Sequence, residues 1–285
     1  MTRSDENLDP SVVRSFGEEW SEYDQTNLVG PDYEQQFAGY FHIFPWERLP
    51  ANAEGFDLGC GSGRWARGVA PRVGRLHCID PSDALEVARR ALRDQPNCVF
   101  HRTGVSHMPI ADESMDFGYS LGVLHHLPDP AAGMRDCARK LKKDAPFLVY
   151  LYYAFDNQPR WYRWMWAATE LGRRTISRLP RRARVAVTRV IAATVYWPLA
   201  RMARVLEKLK IPIKSFPLSI YRDRTYYSMR TDALDRFGTR LEHRFTRAQI
   251  EAMMRNAGLT DIRFSDHAPY WCAVGLRAPV DAPYS

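Results

Sequence analysis

The sequence predicts an α/β fold built from parallel βαβ units, with a helical insertion after the fifth strand. Residues 53–153 alternate short apolar runs with helical stretches, which is the pattern of successive βαβ units. The first apolar run ends in a glycine cluster that leads directly into a helical stretch. Residues 156–240 have a different composition, rich in Arg, Trp and Tyr, and the alternating pattern resumes after them.

The elements of this fold follow in order along the chain, after a helical arm over about 9–45. Strands are predicted at 55–58, 75–79, 97–101, 115–120 and 145–153. The helices between them are predicted at 65–73, 84–93 and 131–141. Near the C-terminus, a helix over 246–256 begins with the Thr-x-x-Gln capping box and stops at Gly258. Two further strands are expected near 260–266 and 270–277.

These elements divide the chain into three parts. Residues 1–50 form the N-terminal helical arm, and residues 51–155 together with 241–285 form the core. Residues 156–240 form the insertion, whose helices are interrupted by four prolines.

Length and composition indicate a folded protein of one or two domains. The chain has 285 residues, of which 45% are hydrophobic and 26% charged, so it can bury a large core. Its five cysteines form no C-x-x-C pair, which argues against a zinc site or a disulfide-stapled secreted fold, and no metal ligand set is predicted. The polar first residues and the lack of an apolar run of about 20 residues lead us to expect a cytoplasmic protein, with a membrane-peripheral location as the alternative.

The positive charge is concentrated in one segment. The whole chain has a formal net charge of +7, and residues 160–210 contain eleven Arg and two Lys against Glu170 and Glu207. A basic surface is typical of nucleic-acid binding. Because this charge belongs to the insertion and the rest of the chain is net acidic, nucleic acid is not the expected partner.

A glycine-rich loop is the most informative motif. It reads Asp57-Leu58-Gly59-Cys60-Gly61-Ser62-Gly63, and its glycines allow the backbone to approach a ligand closely at the start of a helix. Asp80 ends the second strand, a position that suits hydrogen bonds to two ribose hydroxyls. Two alternatives remain: a simple turn with an acidic helix cap, or NAD binding, because residues 61–66 also satisfy the G-x-G-x-x-G/A pattern.

The full D-x-G-x-G-x-G run resembles motif I of class I S-adenosylmethionine-dependent methyltransferases. Residues 108–117 (MPIADESMDF) resemble the LPF-x-D-x-S-F-D stretch of the UbiE-like small-molecule branch of that family, and residues 120–127 (SLGVLHHL) resemble the segment that follows it. Residues 246–264 resemble the helix and strand that close the family's sheet. Four matches in the same order favour this family over an NAD-dependent dehydrogenase.

The resemblance implies a seven-stranded, mostly parallel, doubly wound Rossmann-like sheet with a reversed last strand. It also implies that S-adenosyl-L-methionine lies across the carboxyl ends of strands one, two and four. The cofactor-binding residues carried over in this way are Asp57, Gly59, Cys60, Gly61, Gly63, Asp80, Pro81, Gly104, Val105, Ser106 and Leu121. The loop would hold the methionine part, Asp80 the ribose and residues 104–106 the adenine, and Leu121 would lie near the sulfonium methyl. Family members usually have Asp where this chain has Gly104, so Ser106, His107 or a backbone carbonyl is expected to meet the adenine amino group.

The candidates for chemistry follow the fourth and fifth strands. Methyl transfer from a sulfonium depends mainly on alignment, and a base is needed only if the acceptor must lose a proton. His125 and His126 are candidates for that base, and structural packing is the alternative for both. Tyr152, as a catalytic candidate, and Tyr153, as a substrate-binding one, are expected to orient the acceptor at the end of strand five, or else to pack there.

Acceptor contacts are also expected from two other places in the chain. Trp20 and Tyr23 of the arm would cover the cleft and exclude water, or the arm would instead dock on the sheet edge. Arg222 and Arg224 lie where the insertion returns to the core and are candidates for contacts with an anionic acceptor.

The insertion leaves three interpretations open. Residues 160–210 could form an interfacial helix that meets a membrane and a lipid-linked acceptor. The insertion could form a lid over a small anionic acceptor, or a helical subdomain or homodimer face whose arginines are solvated. The predicted function is in-line methyl transfer from S-adenosylmethionine to a small-molecule, lipid or saccharide-type acceptor. RNA methylation, and transfer of a different alkyl group from a modified cofactor, are the alternatives.

Overall fold

The computed structural model describes residues 7–22, 28–213, 215–239 and 241–279, which form two compact units. Of these residues, the core unit contains 7–22, 35–154 and 241–279, and the helical unit contains 28–34, 155–213 and 215–239. The N-terminal arm is therefore divided between the units, although the sequence predicts it as one part. Residues 28–34 belong to the helical unit because the Asp32 carboxylate accepts hydrogen bonds from the hydroxyls of Thr225 (2.9 Å) and Ser228 (3.1 Å).

The core unit is built on one seven-stranded sheet. Its strands are β1 (Glu54–Leu58), β2 (Arg75–Ile79), β3 (Cys98–His101), β4 (Phe117–Leu121), β5 (Pro146–Tyr150), β6 (Leu259–Phe264) and β7 (Cys272–Arg277). They lie in the order β3-β2-β1-β4-β5-β7-β6. The first five pair in parallel, and β7 runs antiparallel to β5 and β6. The predicted doubly wound, mostly parallel sheet with a reversed last strand is confirmed, and its strand order changes direction between β1 and β4, where such sheets bind their ligands.

The shortage of Val and Ile in β1 is explained by its pairing with β4. Gly55 is opposite Phe117, and Phe56 is opposite Gly118. A Cβ atom added to either glycine would overlap the phenylalanine ring across from it. Both rings are fully buried, so two aromatic side chains fill the space that branched residues occupy in most buried parallel strands.

The helices of the core unit lie close to their predicted positions, with shorter ends. They are α1 (Pro10–Glu22), α2 (Gly30–Phe41, which begins in the helical unit), α3 (Ala66–Val69), α4 (Ala84–Ala91), α5 (Pro130–Lys140) and α10 (Arg247–Asn256). The predicted helix over 65–73 tightens into a 3-10 turn at Ala70–Arg72, where Pro71 interrupts α-helical hydrogen bonding. Strand β5 ends at Tyr150 because the next residues pair with another segment: the Phe245 N–H donates to the Tyr152 carbonyl (2.9 Å), and the Ala154 N–H donates to the Phe245 carbonyl (2.8 Å).

The helical unit contains four further helices, α6 (Arg160–Ile176), α7 (Arg181–Ile191), α8 (Trp197–Lys208) and α9 (Tyr226–Gly238). A π-type turn over Ala192–Tyr196 joins α7 to α8, and Ala192, Tyr196, Ala200, Met229 and Ala233 form the buried centre. Some of the basic residues are structural. The buried Arg173 guanidinium pairs with Glu170 and bonds the Thr239 carbonyl, and Arg236 also pairs with Glu170. Within the described part of the chain, no helix has the length and apolar character needed to cross a membrane.

Candidate functional site

The glycine loop follows β1 and adopts a backbone conformation that only glycine enters without strain. Gly59, Gly61 and Gly63 have φ angles of +74°, +53° and +79°, in the left-handed region where other residues are disfavoured. The loop is tied to the neighbouring strand because the N–H groups of Gly59 and Cys60 both donate to the Ile79 carbonyl, at 2.7 and 3.1 Å.

The loop glycines are also close to one side chain of α1 and to one that follows α4. A Cβ atom added to Gly61 would lie 3.0 Å from Nε1 of Trp20, which belongs to α1. One added to Gly63 would lie 3.0 Å from a methyl group of Leu92, just after α4. Trp20 therefore lies against the loop, and its role in covering the cleft stays a prediction.

Asp80 connects the loop to the turn after β2. One carboxylate oxygen accepts the Gly61 N–H at 2.9 Å, and the other accepts the N–H and hydroxyl of Ser82 at 2.8 and 2.6 Å. The side chain is almost fully buried, and this burial raises its pKa above the ordinary value. The oxygen that accepts the Gly61 N–H keeps a further lone pair for a ligand hydroxyl, and Pro81 follows at the edge of the same turn.

We expect Asp80→Ala to weaken cofactor binding by about 1.5–3 kcal/mol, because hydrogen bonds to a charged group are lost. Calorimetric titration with S-adenosylhomocysteine measures this loss. Ser82→Ala is the matched control, because it removes an internal partner of Asp80 and leaves the carboxylate in place. A dissociation constant that is the same in the Asp80 variant and the wild type would remove Asp80 from the site.

Asp57 lies beneath the loop in a dry environment. Its side chain is 1% exposed, and burial raises its pKa to about 8, with the Asp80 charge acting in the same direction and the Tyr119 hydroxyl in the opposite one. The thiol of Cys60 is buried as well, and its pKa is raised to about 11. The loop therefore rests on a buried group that is mostly protonated at neutral pH.

The adenine side of the predicted site contains a residue that the sequence does not reveal. A Cβ atom added to Gly104 would lie 2.6 Å from a methyl group of Leu8. Leu8 is held there because the Asn7 side chain exchanges two hydrogen bonds with the backbone of Asp129, at 2.6 and 2.9 Å. Glycine stands at position 104 because Leu8 occupies the space of a larger side chain.

The other two predicted adenine residues lie beside this contact. Val105 is buried, and the Ser106 hydroxyl accepts a weak hydrogen bond from the Asn7 N–H at 3.4 Å. Asn7 and Leu8, which no sequence pattern singles out, therefore border the adenine end of the predicted site.

The carboxyl end of β4 provides the open edge of the site. Leu121 is the last residue of β4 and is largely buried. Gly122 follows with φ of +79°, and a Cβ atom added there would meet no heavy atom of the described residues within 4 Å. Val123 then packs against Gly59, so the space beside Gly122 adjoins the glycine loop.

The two histidines after β4 have different environments. His125 is fully buried and its ring stacks on Tyr152, with the ring centres 3.8 Å apart. Among the described residues, neither of its ring nitrogens has a hydrogen-bond partner, and burial holds its pKa well below the ordinary value. His126 places Nδ1 2.7 Å from the Leu241 carbonyl, so that nitrogen carries the proton and the ring anchors the chain structurally.

The segment 241–245 brings residues to this place that the motif analysis missed. The His243 N–H donates to the His125 carbonyl at 2.9 Å. The Arg244 guanidinium lies 5.0 Å from the centre of the Tyr152 ring, pairs with Glu242 at 2.8 Å and donates to the Tyr153 carbonyl. Residues 242–244 (Glu-His-Arg), just before the C-terminal helix, are the signal in the sequence that could have pointed to this segment.

The remaining predicted substrate residues belong to the core unit, to the helical unit and to the residues that are not described. Tyr153 follows β5 instead of ending it, and its ring packs near Tyr270. Arg222 and Arg224 belong to the helical unit, where Arg222 pairs with Glu207 at 2.8 Å and Arg224 lies over the Tyr221 ring. Tyr23 is outside the described residues.

Comparison with known proteins identifies the domain that carries this site. Residues 56–149 match a family model described as a methyltransferase domain. The chain contains a methyltransferase domain over residues 56–149. It is 30% identical over 150 residues to a ubiquinone biosynthesis O-methyltransferase of Hahella chejuensis, over 49% of this chain and 60% of that protein. It is also 30% identical over 136 residues to a tRNA U34 carboxymethyltransferase of Aliarcobacter butzleri, over 46% of this chain and 39% of that protein.

The chain covers less than two thirds of the length of the curated relatives it matches. Among solved structures, a putative methyltransferase in complex with the Haloferax volcanii Trm112 activator is 16% identical with a TM-score of 0.50, covering 94% of this chain and 98% of that one. That likeness concerns the fold.

The methyltransferase domain is of the S-adenosylmethionine-dependent class, and its loop fits that cofactor. The three loop glycines form a cradle with left-handed backbone, and a side chain at position 61 would crowd the Trp20 ring beside it. The buried Asp80 carboxylate is adjacent to the loop, and the space beside Gly122 adjoins it at the end of β4.

Proposed function

We propose that the whole protein is an S-adenosylmethionine-dependent methyltransferase whose small amphiphilic acceptor is presented at an anionic lipid surface. The core unit holds the cofactor, and the helical unit meets the surface. One observation supports an acceptor at a lipid surface. Fourteen large hydrophobic side chains of the described residues are exposed, and all fourteen belong to the helical unit. Soluble proteins seldom concentrate exposed apolar groups in this way unless the surface has a partner.

Helix α6 presents the most continuous part of this apolar surface. Trp161, Trp164 and Leu171 are 52%, 77% and 73% exposed, and their spacing of three and seven residues places them on one face of the helix. The helix has 17 residues, a length that suits an amphipathic helix lying in the interfacial region, where Trp is favoured.

The charge of the helical unit favours an anionic lipid surface over a neutral one. Residues 160–210 contain thirteen basic side chains and two acidic ones. Arg160, Arg163 and Arg174 are exposed on α6, the helix that also carries the tryptophans. A basic side chain close to an anionic membrane surface contributes about 1 kcal/mol to binding, so the basic and apolar groups would act together.

The chemistry rests on alignment and on one proton acceptor. S-adenosylmethionine, when bound, supplies an activated methyl group on its sulfonium. The glycine loop and Asp80 orient the cofactor, and Trp20 excludes water from the loop. Burial lowers the pKa of His125 and keeps it uncharged at neutral pH. A ring nitrogen accepts the proton of an acceptor hydroxyl once the bound acceptor opens the packing around the ring. We therefore propose oxygen as the methylated atom, in keeping with the name of the Hahella chejuensis relative.

Modification of RNA is the second candidate. It is favoured by the basic residues of the helical unit and by the name of the Aliarcobacter butzleri relative, which acts on tRNA with a carboxymethyl group. The exposed tryptophans would then stack on bases. The two candidates differ in what binds the helical unit.

Vesicle flotation tests the lipid proposal. We expect the wild type to float with vesicles that contain about one third anionic phospholipid and to bind neutral vesicles much more weakly. Apolar insertion acts on both kinds of vesicle, whereas charge attraction, which salt weakens, acts only on the anionic ones. Trp164→Gln combined with Leu171→Gln should abolish flotation and leave the affinity for S-adenosylhomocysteine unchanged. Both side chains are exposed, so the fold should tolerate the change.

Arg93→Gln is the control, because it removes an exposed charge from the core unit. A wild type that floats with neither kind of vesicle would contradict the lipid proposal. Binding of tRNA, with loss of that binding in the double variant, would establish the RNA alternative. Loss of cofactor affinity in the double variant would show that the helical unit also serves the cofactor site.

A further inference from the structure

A cluster of two histidines and an aspartate lies on the surface of the core unit, in residues that the proposed function does not use. His42 follows the end of α2, and Asp266 and His267 lie in the connection between β6 and β7. Each offers one ligand atom, and these atoms all lie within 4.8 Å of one another. The two imidazole rings are close, with their centres 4.3 Å apart.

His42 has a ring nitrogen available for a metal. Its Nδ1 lies 3.2 Å from the Ala38 carbonyl and 3.1 Å from the Gly39 carbonyl, both at the end of α2. Carbonyl oxygens only accept, so Nδ1 carries the proton and Nε2 carries the lone pair. A backbone carbonyl on the second nitrogen is the usual arrangement for a histidine that binds a metal.

His267 lies directly beside the carboxylate of Asp266. Its Nδ1 lies 2.7 Å from Oδ1 of Asp266, so these two atoms can bind the same metal ion once the metal replaces the proton between them. The cluster thus combines two imidazole nitrogens with one carboxylate oxygen.

The backbone holds these donors in place. The Ser265 hydroxyl donates to the His267 carbonyl at 2.7 Å and accepts from the His267 N–H at 3.3 Å. The thiol of Cys272 lies 3.5 Å from the Tyr40 carbonyl, which links the start of β7 to the end of α2. The two sides of the cluster are therefore already connected by other contacts, and a metal would not have to draw them together.

We propose that His42, His267 and Asp266 bind a divalent late transition metal, with Zn²⁺ as the probe. Two imidazoles and a carboxylate are a preferred ligand set for Zn²⁺, whereas Mg²⁺ and Ca²⁺ favour oxygen ligands. Nε2 of His42, Nδ1 of His267 and a carboxylate oxygen of Asp266 are the protein ligands, and water completes the coordination. The metal cross-links the end of α2 to the β6–β7 connection and stabilises the folded state by mass action.

Calorimetric titration of the chelator-treated full chain with ZnCl₂ tests the site. We expect one binding event in the wild type, and a loss of affinity of about tenfold or more in His42→Gln and in His267→Gln, since each removes one of three ligands. His107→Gln is the matched control, an exposed histidine outside the cluster. Zn²⁺ should raise the unfolding temperature of the wild type and of the control, and have little effect on the two cluster variants.

Absorption spectra with Co²⁺ in place of Zn²⁺ report the ligands independently of affinity. Bands that disappear in His42→Gln support the assigned ligand set. Zn²⁺ binding that is equal in the wild type and both cluster variants would overturn the site, and so would a wild type that binds no Zn²⁺. Neither result would bear on the methyltransferase proposal, because both variants keep every residue of the cofactor cradle.

Discussion

Gly61→Val is expected to abolish S-adenosylmethionine binding while leaving the core unit folded. The backbone at Gly61 has φ of +53°, where a β-branched residue is strongly strained. The first atom of the new side chain would lie 3.0 Å from Nε1 of Trp20, so the branched side chain would force the Trp20 ring and the loop apart. The Gly61 N–H, which donates to Asp80, would also be displaced.

Calorimetry with S-adenosylhomocysteine and far-ultraviolet circular dichroism together measure this result. Gly172→Val is the control, because a Cβ atom added at Gly172 on α6 meets no described heavy atom within 4 Å. Normal affinity in a folded Gly61→Val protein would mean that the loop is not the cradle. A variant that fails to fold would move the test to Gly61→Ala, for which we expect a smaller but measurable loss of affinity.

The parts of the site that the sequence predicts well are local in the chain. The glycine loop and Asp80 follow directly after β1 and β2, and the parallel pairing of these strands brings them together at one edge of the sheet. The Gly61 to Asp80 hydrogen bond is a direct consequence of that pairing. The alternation of apolar runs with helical stretches therefore predicts both the fold class and the position of the glycine loop.

The parts that could not be predicted depend on contacts between distant segments. Leu8 fills the space beside Gly104, and the sequence shows only that a family aspartate is missing there. Arg244 reaches Tyr152 because β5 stops at Tyr150 and the following residues pair with Phe245. No local periodicity encodes either contact, because each depends on how loops cross the end of the sheet.

The two histidines after β4 also could not be distinguished from the sequence. Residue type and position make His125 and His126 equivalent candidates for a base. The structure separates them: the Leu241 carbonyl engages Nδ1 of His126, and His125 is buried against Tyr152. The deciding partner is more than a hundred residues away along the chain, so only the folded structure could reveal it.

The second large effect is expected from pH, through Asp57. Burial raises the pKa of Asp57 from 3.8 to about 8, so between these values the folded state holds a proton that the unfolded state has released. The folded state then binds more protons than the unfolded state, and the free energy of unfolding falls as pH rises. The contribution of Asp57 to stability is complete below pH 3.8 and is lost as the pH rises to about 8. Its limiting slope is about 1.4 kcal/mol per pH unit.

Asp57→Asn isolates this contribution, because the amide is uncharged and similar in shape to the protonated acid. We expect urea unfolding to show the wild type losing stability relative to Asp57→Asn between pH 5 and pH 8, by a few kcal/mol in total. Asp112→Asn is the control. Its carboxyl has a pKa lowered by Lys140, so its difference from the wild type should stay constant over the same range. If the difference between the wild type and Asp57→Asn is also constant, Asp57 keeps its charge in the folded state, and the dry environment beneath the loop must contain a compensating group.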